Sequence, residues 1–359
     1  MFKAPMRRRS RYCAALLAGA ALLARAAPEG AAAGQRAYTP ADYQAQRVHQ
    51  SVTMFAIGSG TGRAYVFMPA EPTPKGAPLV LFHHGWLGMN PLNFGGLIDL
   101  LARRGAVVIY PVYQDGDKTS PQAVTALAAG ADHAALLALR ARYPGLVDEN
   151  KTLYLGYSMG AAISFNLALA PQDFALPAPR ALLLMAPGDA HHVVRGPEAR
   201  SIYGDPRRLP ADLPTVLVAG LADTSIGLPT ARQLDASLCH LRRHNLILLP
   251  SDADAGHSIA AGHGSPGAPD SRYNFPDPQA PVADGRAIAG RPEFEPSGSL
   301  NLLDYYGYWR LATRLADYAN GQPLPEELFG AGEENRYLGR WPSGKPYASA
   351  QIENPCASK

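Results

Sequence analysis

A Gly-Tyr-Ser-Met-Gly pentapeptide at residues 156–160 constrains the fold of this chain more than any other stretch. It follows a short apolar run at 151–155, and residues 161–170 after it carry small and apolar side chains at helical spacing. A strand, a tight turn and a helix start in that order would hold the Ser158 hydroxyl on a strained corner, between two glycines that let strand and helix approach closely. The pentapeptide alone is weak evidence in a chain with 35 glycines. Its position between a strand pattern and a helix pattern predicts that Ser158 is a nucleophile.

Strand and helix patterns alternate on both sides of this turn. The pattern predicts strands at 77–82, 106–110, 151–155, 180–185, 215–219 and 245–249, and helices at 91–104, 121–142, 229–243 and 302–319. Two earlier strands, 51–57 and 63–68, flank a Gly-rich turn and predict an antiparallel start. The βαβ alternation indicates an α/β domain over residues 49–325, with a doubly wound, mostly parallel sheet.

An acid and a base for Ser158 follow later strands. A serine hydroxyl becomes a nucleophile when a base accepts its proton, and the base needs a carboxylate that orients it. Asp223 comes directly after the strand at 215–219, and His257 comes after the strand at 245–249. Because catalytic groups in such sheets collect at the carboxyl ends of the strands, we predict a triad of Ser158, Asp223 and His257.

Two of these three positions have competitors. His263, within a Gly-His-Gly sequence, is a second candidate for the base, although it lies further from the strand end. Asp189 is a second candidate for the acid, because it follows the strand at 180–185. Asp252 and Asp254 precede the predicted base, and a solvated loop is a simpler interpretation of them than a cation site.

Other histidines have spacings that resemble those of metal ligands. His191 and His192 are adjacent, and His240 and His244 are four residues apart. Neither pair has a third ligand nearby in the sequence, so we predict no metal and no cofactor.

Four motifs together resemble the α/β-hydrolase superfamily over roughly residues 50–320. In chain order they are the His84-Gly85-Trp86 turn after the strand at 77–82, the turn at 156–160, Asp223, and Gly256-His257, which is the order expected in that superfamily.

The resemblance implies an α/β-hydrolase fold and a division of roles. Ser158 would be the nucleophile, His257 the general base and then acid, and Asp223 the residue that orients the imidazole. The backbone N–H groups of Trp86 and Met159 would form the oxyanion hole, since they follow the His-Gly pair and the nucleophile.

Within that superfamily the chain is most similar to secreted ester hydrolases related to polyester hydrolases, cutinases and dienelactone hydrolases. It departs from them at Ser158, where dienelactone hydrolases have Cys, and at Ala161, where cutinase-like enzymes commonly have Gly. A Pro/Gly-rich stretch at about 259–298 fits neither group. Only about 28 residues separate the strands at 180–185 and 215–219, too few for a large cap domain, so we predict an open site.

These observations predict a serine hydrolase that cleaves carboxylic esters, small or polymeric, through an acyl-enzyme intermediate. Amidases, peptidases and thioesterases use the same triad and remain alternatives. A non-catalytic binding protein on a hydrolase scaffold is a third alternative, from a different functional class.

The first 26 residues have the basic, apolar and small-residue order of a signal peptide, with a single membrane anchor as the alternative. We therefore predict export to the periplasm or the extracellular space, without stable membrane insertion after the leader is removed. Removal would take six of the 33 basic residues and no acidic one, leaving 27 against 30. This balance gives no reason to expect a nucleic-acid partner.

The remaining segments are a flexible lead-in at 27–48 and a C-terminal tail at 326–359, both predicted from their small, Pro- and Gly-rich composition. Cys13 lies within the predicted leader. Cys239 and Cys356 would either form one disulfide that ties the tail to the domain or remain two separate thiols.

Overall fold

The computed structural model describes residues 40–277, 280, 282, 285–288 and 300–356. The predicted signal peptide with Cys13, the lead-in up to residue 39, and residues 289–299 of the Pro/Gly-rich stretch lie outside the described residues. Within the described part of the chain, no helix has both the length and the apolar character needed to cross a membrane.

Among the described residues, ten strands form one large sheet, and two further short strands form a separate hairpin. The strands are β1 (Ser51–Ile57), β2 (Arg63–Ala70), β3 (Ala77–His83), β4 (Val107–Val112), β5 (Val147–Tyr157), β6 (Ala181–Met185), β7 (Thr215–Gly220), β8 (His244–Leu249), β9 (Asp252–Asp254), β10 (His257–Ile259), β11 (Arg286–Ile288) and β12 (Gln351–Glu353). Their order in the large sheet is β11-β1-β2-β4-β3-β5-β6-β7-β8-β12, while β9 and β10 form the hairpin. Strands β3 to β8 pair in parallel, and β1 and β2 pair antiparallel as predicted.

Helices cover both faces of this sheet. They are α1 (Pro40–Ala45), α2 (Gly95–Arg103), α3 (Val124–Arg142), α4 (Met159–Leu169), α5 (Gly227–Ser237), α6 (Trp309–Ala319) and α7 (Glu333–Arg336). Helices α2 and α6 pack on one face, and α3, α4 and α5 pack on the other. The central strands are nearly continuous apolar runs because both of their faces are buried. The predicted α/β-hydrolase fold, with its mostly parallel sheet, is confirmed.

The described residues of the predicted flexible lead-in, 40–48, include a folded helix. Residues 40–45 form α1, and Tyr43 on this helix is fully buried. The Tyr43 hydroxyl donates a hydrogen bond to the carbonyl oxygen of Tyr305 at 2.6 Å, and its ring packs edge-on against Trp309. The described end of the lead-in is therefore part of the core that surrounds α6.

The C-terminal segment is also part of the folded domain. Strand β12 pairs antiparallel with β8 at the edge of the sheet. A disulfide joins Cys239, just after α5, to Cys356, just after β12, which decides between the two alternatives left open by the sequence. The bond links positions 117 residues apart and fastens the last described strand to the body.

The described part of the Pro/Gly-rich stretch packs along α2 and then joins the far edge of the sheet. The backbone N–H of Ala268 donates to the carbonyl of Asn93 at 2.9 Å, and the Tyr273 hydroxyl donates to Asp99 at 3.0 Å. Strand β11 then pairs antiparallel with β1. The stretch thus extends the sheet at the edge opposite to β12.

Candidate active site

Ser158 occupies a sharp turn between β5 and α4. Its φ is 54°, a left-handed value that a non-glycine residue rarely adopts and that marks local strain. A Cβ atom on Gly156 would lie 2.2 Å from the carbonyl oxygen of Gly160, and one on Gly160 would lie 2.0 Å from the carbonyl oxygen of His83. Because no side chain fits at either position, the two glycines allow the turn that presents Ser158.

Ser158, His263 and Asp223 form a continuous hydrogen-bonded array. The Nε2 atom of His263 lies 2.9 Å from Ser158 Oγ, and its Nδ1 atom lies 2.6 Å from Asp223 Oδ2. The Asp223 side chain is 2% exposed, and the His263 side chain is 26% exposed. Because the carboxylate accepts a hydrogen bond from Nδ1–H, a neutral ring has its lone pair at Nε2, directed at the serine hydroxyl. This geometry suits removal of the serine proton.

The prediction that His257 is the base is wrong, because the structure does not place His257 beside Ser158. His257 is exposed and lies at the start of β10, opposite Asp254 of β9. The structure instead brings the alternative candidate, His263, to Ser158 and Asp223.

The β9–β10 hairpin is the physical reason for this difference. After β8 the chain turns through Ala255 and Gly256, whose φ values of 47° and 83° are both positive, as in a two-residue type I′ turn. It returns to the sheet at Ala261, whose carbonyl accepts a hydrogen bond from Ala222 N at 3.1 Å. The chain therefore returns to the carboxyl end of the sheet just before His263, whereas His257 lies on the hairpin that precedes this return.

Two phenols, the partly buried Tyr157 and the buried Tyr308, hold the loop that carries His263. The Tyr157 hydroxyl donates to the backbone carbonyl of His263 at 3.1 Å. Ser265 Oγ donates to the carbonyl of Gly262 at 2.7 Å and contacts the Tyr308 hydroxyl at 2.7 Å. Burial raises the pKa of both phenols, so they remain neutral at ordinary pH. The sequence patterns did not identify this support, because Tyr308 lies in a helix more than forty residues further along the chain.

Trp86 and Met159, the predicted oxyanion-hole residues, line the same cavity as Ser158. Met159 is the first residue of α4, so its backbone N–H has no acceptor within the helix. The turn after β3 that carries Trp86 is tied to β4 and the chain just after it: Leu87 N donates to Gln114 Oε1 at 2.8 Å, and the Tyr110 hydroxyl donates to Gly88 O at 2.6 Å. These bonds fix the turn beside Ser158.

His84 supports this turn from inside the protein. Its ring is stacked between Tyr110 and Tyr113, and its Nδ1 atom donates to the carbonyl of Gly85 at 2.6 Å. Burial lowers the pKa of His84 to about 3, so the imidazole is neutral. His84 is therefore a structural support of the turn.

A cavity of about 230 Å³ opens beside Ser158. Its lining combines apolar side chains with Gly188, Asp189 and both histidines of the site, and comprises Trp86, Tyr157, Ser158, Met159, Gly188, Asp189, His192, Val193, Ile226 and His263. Gly188 is packed so closely that a Cβ atom there would lie 2.9 Å from Ser158 Oγ. No residue of the described stretch 264–277 lines this cavity.

Asp189, the alternative acid, has another role. Its Oδ1 accepts hydrogen bonds from Ala190 N at 2.7 Å and from Ile202 N at 2.9 Å. These bonds cap the short 3-10 turn Ala190–His192 and fasten the loop after β6. The carboxylate bonded to His263 is that of Asp223.

The acidic pair before His257 anchors the C-terminal segment. Asp252 Oδ2 accepts from Trp341 Nε1 at 2.9 Å and from Ala348 N at 3.0 Å, and Asp254 is hydrogen-bonded to Ser343. The hydrogen bond from Trp341 makes the largest contribution to lowering the pKa of Asp252 to about 2, and burial acts in the opposite direction. Among the described residues, no group of three or more His, Cys, Asp or Glu side chains could hold a metal ion.

No protein-family model matches the chain, and no curated protein matches it in sequence. Among solved structures, the chain is similar to an acylaminoacyl peptidase of Pyrococcus horikoshii, with 12% identity, coverage of 62% of this chain and 39% of that one, and a TM-score of 0.45. The chain therefore spans about two fifths of the length of that peptidase.

It is also similar to the thermophilic esterase Est2 of Thermogutta terrifontis, a Planctomycetes species. The butyrate-bound form is 18% identical over 58% of this chain and 88% of that one, with a TM-score of 0.41. The form phosphorylated by paraoxon is 18% identical over 59% and 86%, with a TM-score of 0.43. Similarity at this level does not assign an activity to the chain.

Proposed function

We propose that this protein is a serine hydrolase that cleaves carboxylic esters through an acyl-enzyme intermediate. The observation that carries the proposal is the His263 imidazole, which joins the Ser158 hydroxyl to the buried Asp223 carboxylate at hydrogen-bond distance on both sides. The array faces a cavity, so a substrate can reach it. A strained turn, an oriented base and an adjoining cavity are the parts that acyl transfer by serine requires.

The proposed reaction begins when Ser158 Oγ attacks the ester carbonyl while His263 Nε2 accepts the hydroxyl proton. The backbone N–H groups of Trp86 and Met159 stabilise the negative oxygen of the tetrahedral intermediate, and loss of one such donor typically costs about 3 to 4 kcal/mol. His263 then donates its proton to the departing alcohol. A water molecule, deprotonated by the same imidazole, attacks the acyl-enzyme and releases the acid.

The size of the cavity favours compact substrate groups. At about 230 Å³ it is smaller than the roughly 300–1,000 Å³ of typical small-molecule sites. Met159, Val193 and Ile226 give it an apolar wall. We therefore propose that the group bound here is a short chain, and that longer or polymeric esters would extend out of the cavity.

We also propose that the protein is exported. The leader-like sequence at residues 1–26 supports this proposal, and so does the Cys239–Cys356 disulfide, since such bonds persist mainly in oxidising compartments.

An ester and an amide that carry the same acyl group test the proposed function. The purified protein is expected to hydrolyse p-nitrophenyl butanoate, and to cleave the matching butananilide far more slowly. Ser158→Ala should abolish ester turnover while the circular dichroism spectrum stays that of the folded protein. Ester turnover that survives in Ser158→Ala, or faster cleavage of the anilide, would contradict the proposal.

Gly188→Ala is expected to lower ester turnover by about 10- to 100-fold, because a misplacement of about 1 Å in a reacting group has costs of this order. The added methyl would lie 2.9 Å from Ser158 Oγ, so the hydroxyl must rotate away from His263. The melting temperature should change by only a few degrees, since the closest atom is the end of a side chain and the nearest backbone atoms, Ser158 C and Met159 N, lie at 3.2 and 3.3 Å.

Gly264→Ala is a matched control, because a Cβ atom there meets nothing within 4 Å. Steady-state kinetics of both variants with p-nitrophenyl butanoate make the comparison. Equal activities for the two variants would show that Gly188 does not set the position of the nucleophile.

A further inference from the structure

His192 lies in the wall of the cavity beside Ser158, on the turn that follows β6. Its Nδ1 atom accepts a hydrogen bond from the backbone N–H of Asp189 at 3.0 Å. A neutral imidazole carries one proton, so an accepting Nδ1 fixes that proton on Nε2. The contacts of the turn thus select one tautomer of His192, with a donor at the other edge of the ring.

The charge state of His192 agrees with this assignment. Burial is the main cause that lowers its pKa, and His191 and His263 act in the same direction, while Asp189 and Asp223 act against it. The imidazole is therefore neutral around pH 7, and Nε2–H is a neutral donor.

The residues around His192 leave its Nε2–H group available to a ligand. Within the described part of the chain, the hydrogen bond at Nδ1 is the one found for this side chain. The neighbouring wall is apolar at Val193 and Ile226, and Asp189 Oδ1 already accepts two backbone N–H groups. A hydrocarbon group that displaced water from this wall would leave Nε2–H without an acceptor, which carries a desolvation penalty.

We propose that His192 determines specificity by donating a hydrogen bond from Nε2–H to an oxygen atom of the substrate group that occupies this cavity. This inference rests on the proposed ester hydrolysis. It assigns a substrate class: esters whose acyl or alcohol portion carries an ether, hydroxyl or carbonyl oxygen a few bonds from the scissile carbonyl. A site that presents such a donor to the bound group discriminates against an analogue that lacks the acceptor, because binding then leaves the donor unpaired.

Two pairs of nearly isosteric esters test this assignment. For the acyl side the pair is p-nitrophenyl methoxyacetate and p-nitrophenyl butanoate, and for the alcohol side it is 2-methoxyethyl acetate and butyl acetate. In each pair one CH₂ group is exchanged for an oxygen. The esters differ in inherent reactivity, so the readout is the ratio of kcat/KM within a pair, compared between the wild-type protein and its variants.

Two variants separate the two edges of the ring. His192→Asn keeps an acceptor near the position of Nδ1 for Asp189 N–H and removes the donor at Nε2. In His192→Asn, the ratio of kcat/KM for the oxygen-containing ester to that for its hydrocarbon analogue is expected to fall about fivefold in the pair whose oxygen binds His192. A change of this size is expected for one neutral hydrogen bond. His192→Gln places an amide N–H near the position of Nε2 and should recover at least half of the lost preference.

The pair that responds identifies the side of the ester that binds against His192. Unchanged ratios in both pairs, with ester turnover intact, would overturn this inference and leave the proposed function standing. An equal loss for both members of a pair would also overturn it, because a merely structural role has that effect. If the wild-type protein hydrolyses none of the four esters, the proposed function fails, and the inference fails with it.

Discussion

His263→Asn is expected to lower kcat/KM for p-nitrophenyl butanoate by at least about 10³-fold, the scale at which loss of a triad member acts. The same substitution at His257 is expected to leave the activity within about twofold. The difference follows from geometry, since His263 bonds both Ser158 and Asp223, whereas His257 is exposed on the β9–β10 hairpin. Steady-state kinetics under one set of conditions make the comparison.

Thermal unfolding of both variants controls for stability. Neither substitution removes a buried apolar group, so each melting temperature should lie within a few degrees of the wild-type value. A His257→Asn variant as inactive as His263→Asn would mean that the hairpin reaches the site during the reaction, and the assignment of the base would be wrong.

Gly160→Ala is expected to destabilise the protein by about 3 kcal/mol or more, at the upper end of the cost of overpacking. The new Cβ atom would lie 2.0 Å from the carbonyl oxygen of His83 and 2.3 Å from that of His84. Both are backbone atoms at the end of β3, so the contact is relieved only if α4 moves away from the sheet. Urea denaturation measures the loss of free energy of unfolding.

Gly130→Ala is the matched control for this substitution. Gly130 lies within α3, and a Cβ atom there meets nothing within 4 Å. Alanine is the better helix former, so this variant should gain about 0.5 to 1 kcal/mol. If Gly160→Ala unfolds at the same urea concentration as the wild-type protein, the close approach of β3 and α4 is not what Gly160 provides.

Local patterns in the sequence predict the fold and two members of the hydrogen-bonded array, Ser158 and Asp223. The apolar runs of the central strands identify the parallel sheet because they are buried on both faces. The place of Gly156-Tyr-Ser-Met-Gly160 between a strand pattern and a helix pattern identifies Ser158, and the position of Asp223 directly after an apolar strand pattern identifies the acid. Each of these signals lies within about ten residues of the position it predicts.

The choice between His257 and His263 depended on a different kind of information. Both histidines follow β8, and proximity to the strand end favours His257. The Ala255–Gly256 turn joins two short segments in which polar and apolar residues alternate, and this combination is typical of a hairpin. It implies that both segments leave the large sheet. This signal favours the histidine that comes after the hairpin.

Contacts between distant segments had no local signal at all. Tyr43 bonds to Tyr305, 262 positions away, and Cys239 pairs with Cys356. Composition alone predicts a flexible segment around Tyr43 and says little about the segment around Cys356. Their burial depends on partners that the fold brings together, so periodicity within either segment does not reveal it.

A second Ser-His-Asp set shows why residue types alone do not assign catalysis. His83 is hydrogen-bonded to Ser164 Oγ at 2.7 Å and to Asp132 Oδ2 at 2.9 Å. All three side chains are fully buried, and burial raises the pKa of Asp132. Because no substrate can reach this set, it serves to satisfy polar groups between β3, α3 and α4. Access to a cavity distinguishes the array at Ser158.

We propose that the Ser158 hydroxyl is a reactive nucleophile, activated by His263. The most direct test is to treat the folded protein with a fluorophosphonate and to locate the adduct by peptide mass spectrometry. We expect one stoichiometric adduct on the peptide that contains Ser158. The adduct should form at the wild-type rate in His257→Asn and far more slowly in His263→Asn. No adduct on the wild-type protein, or an adduct on another residue, would contradict this proposal.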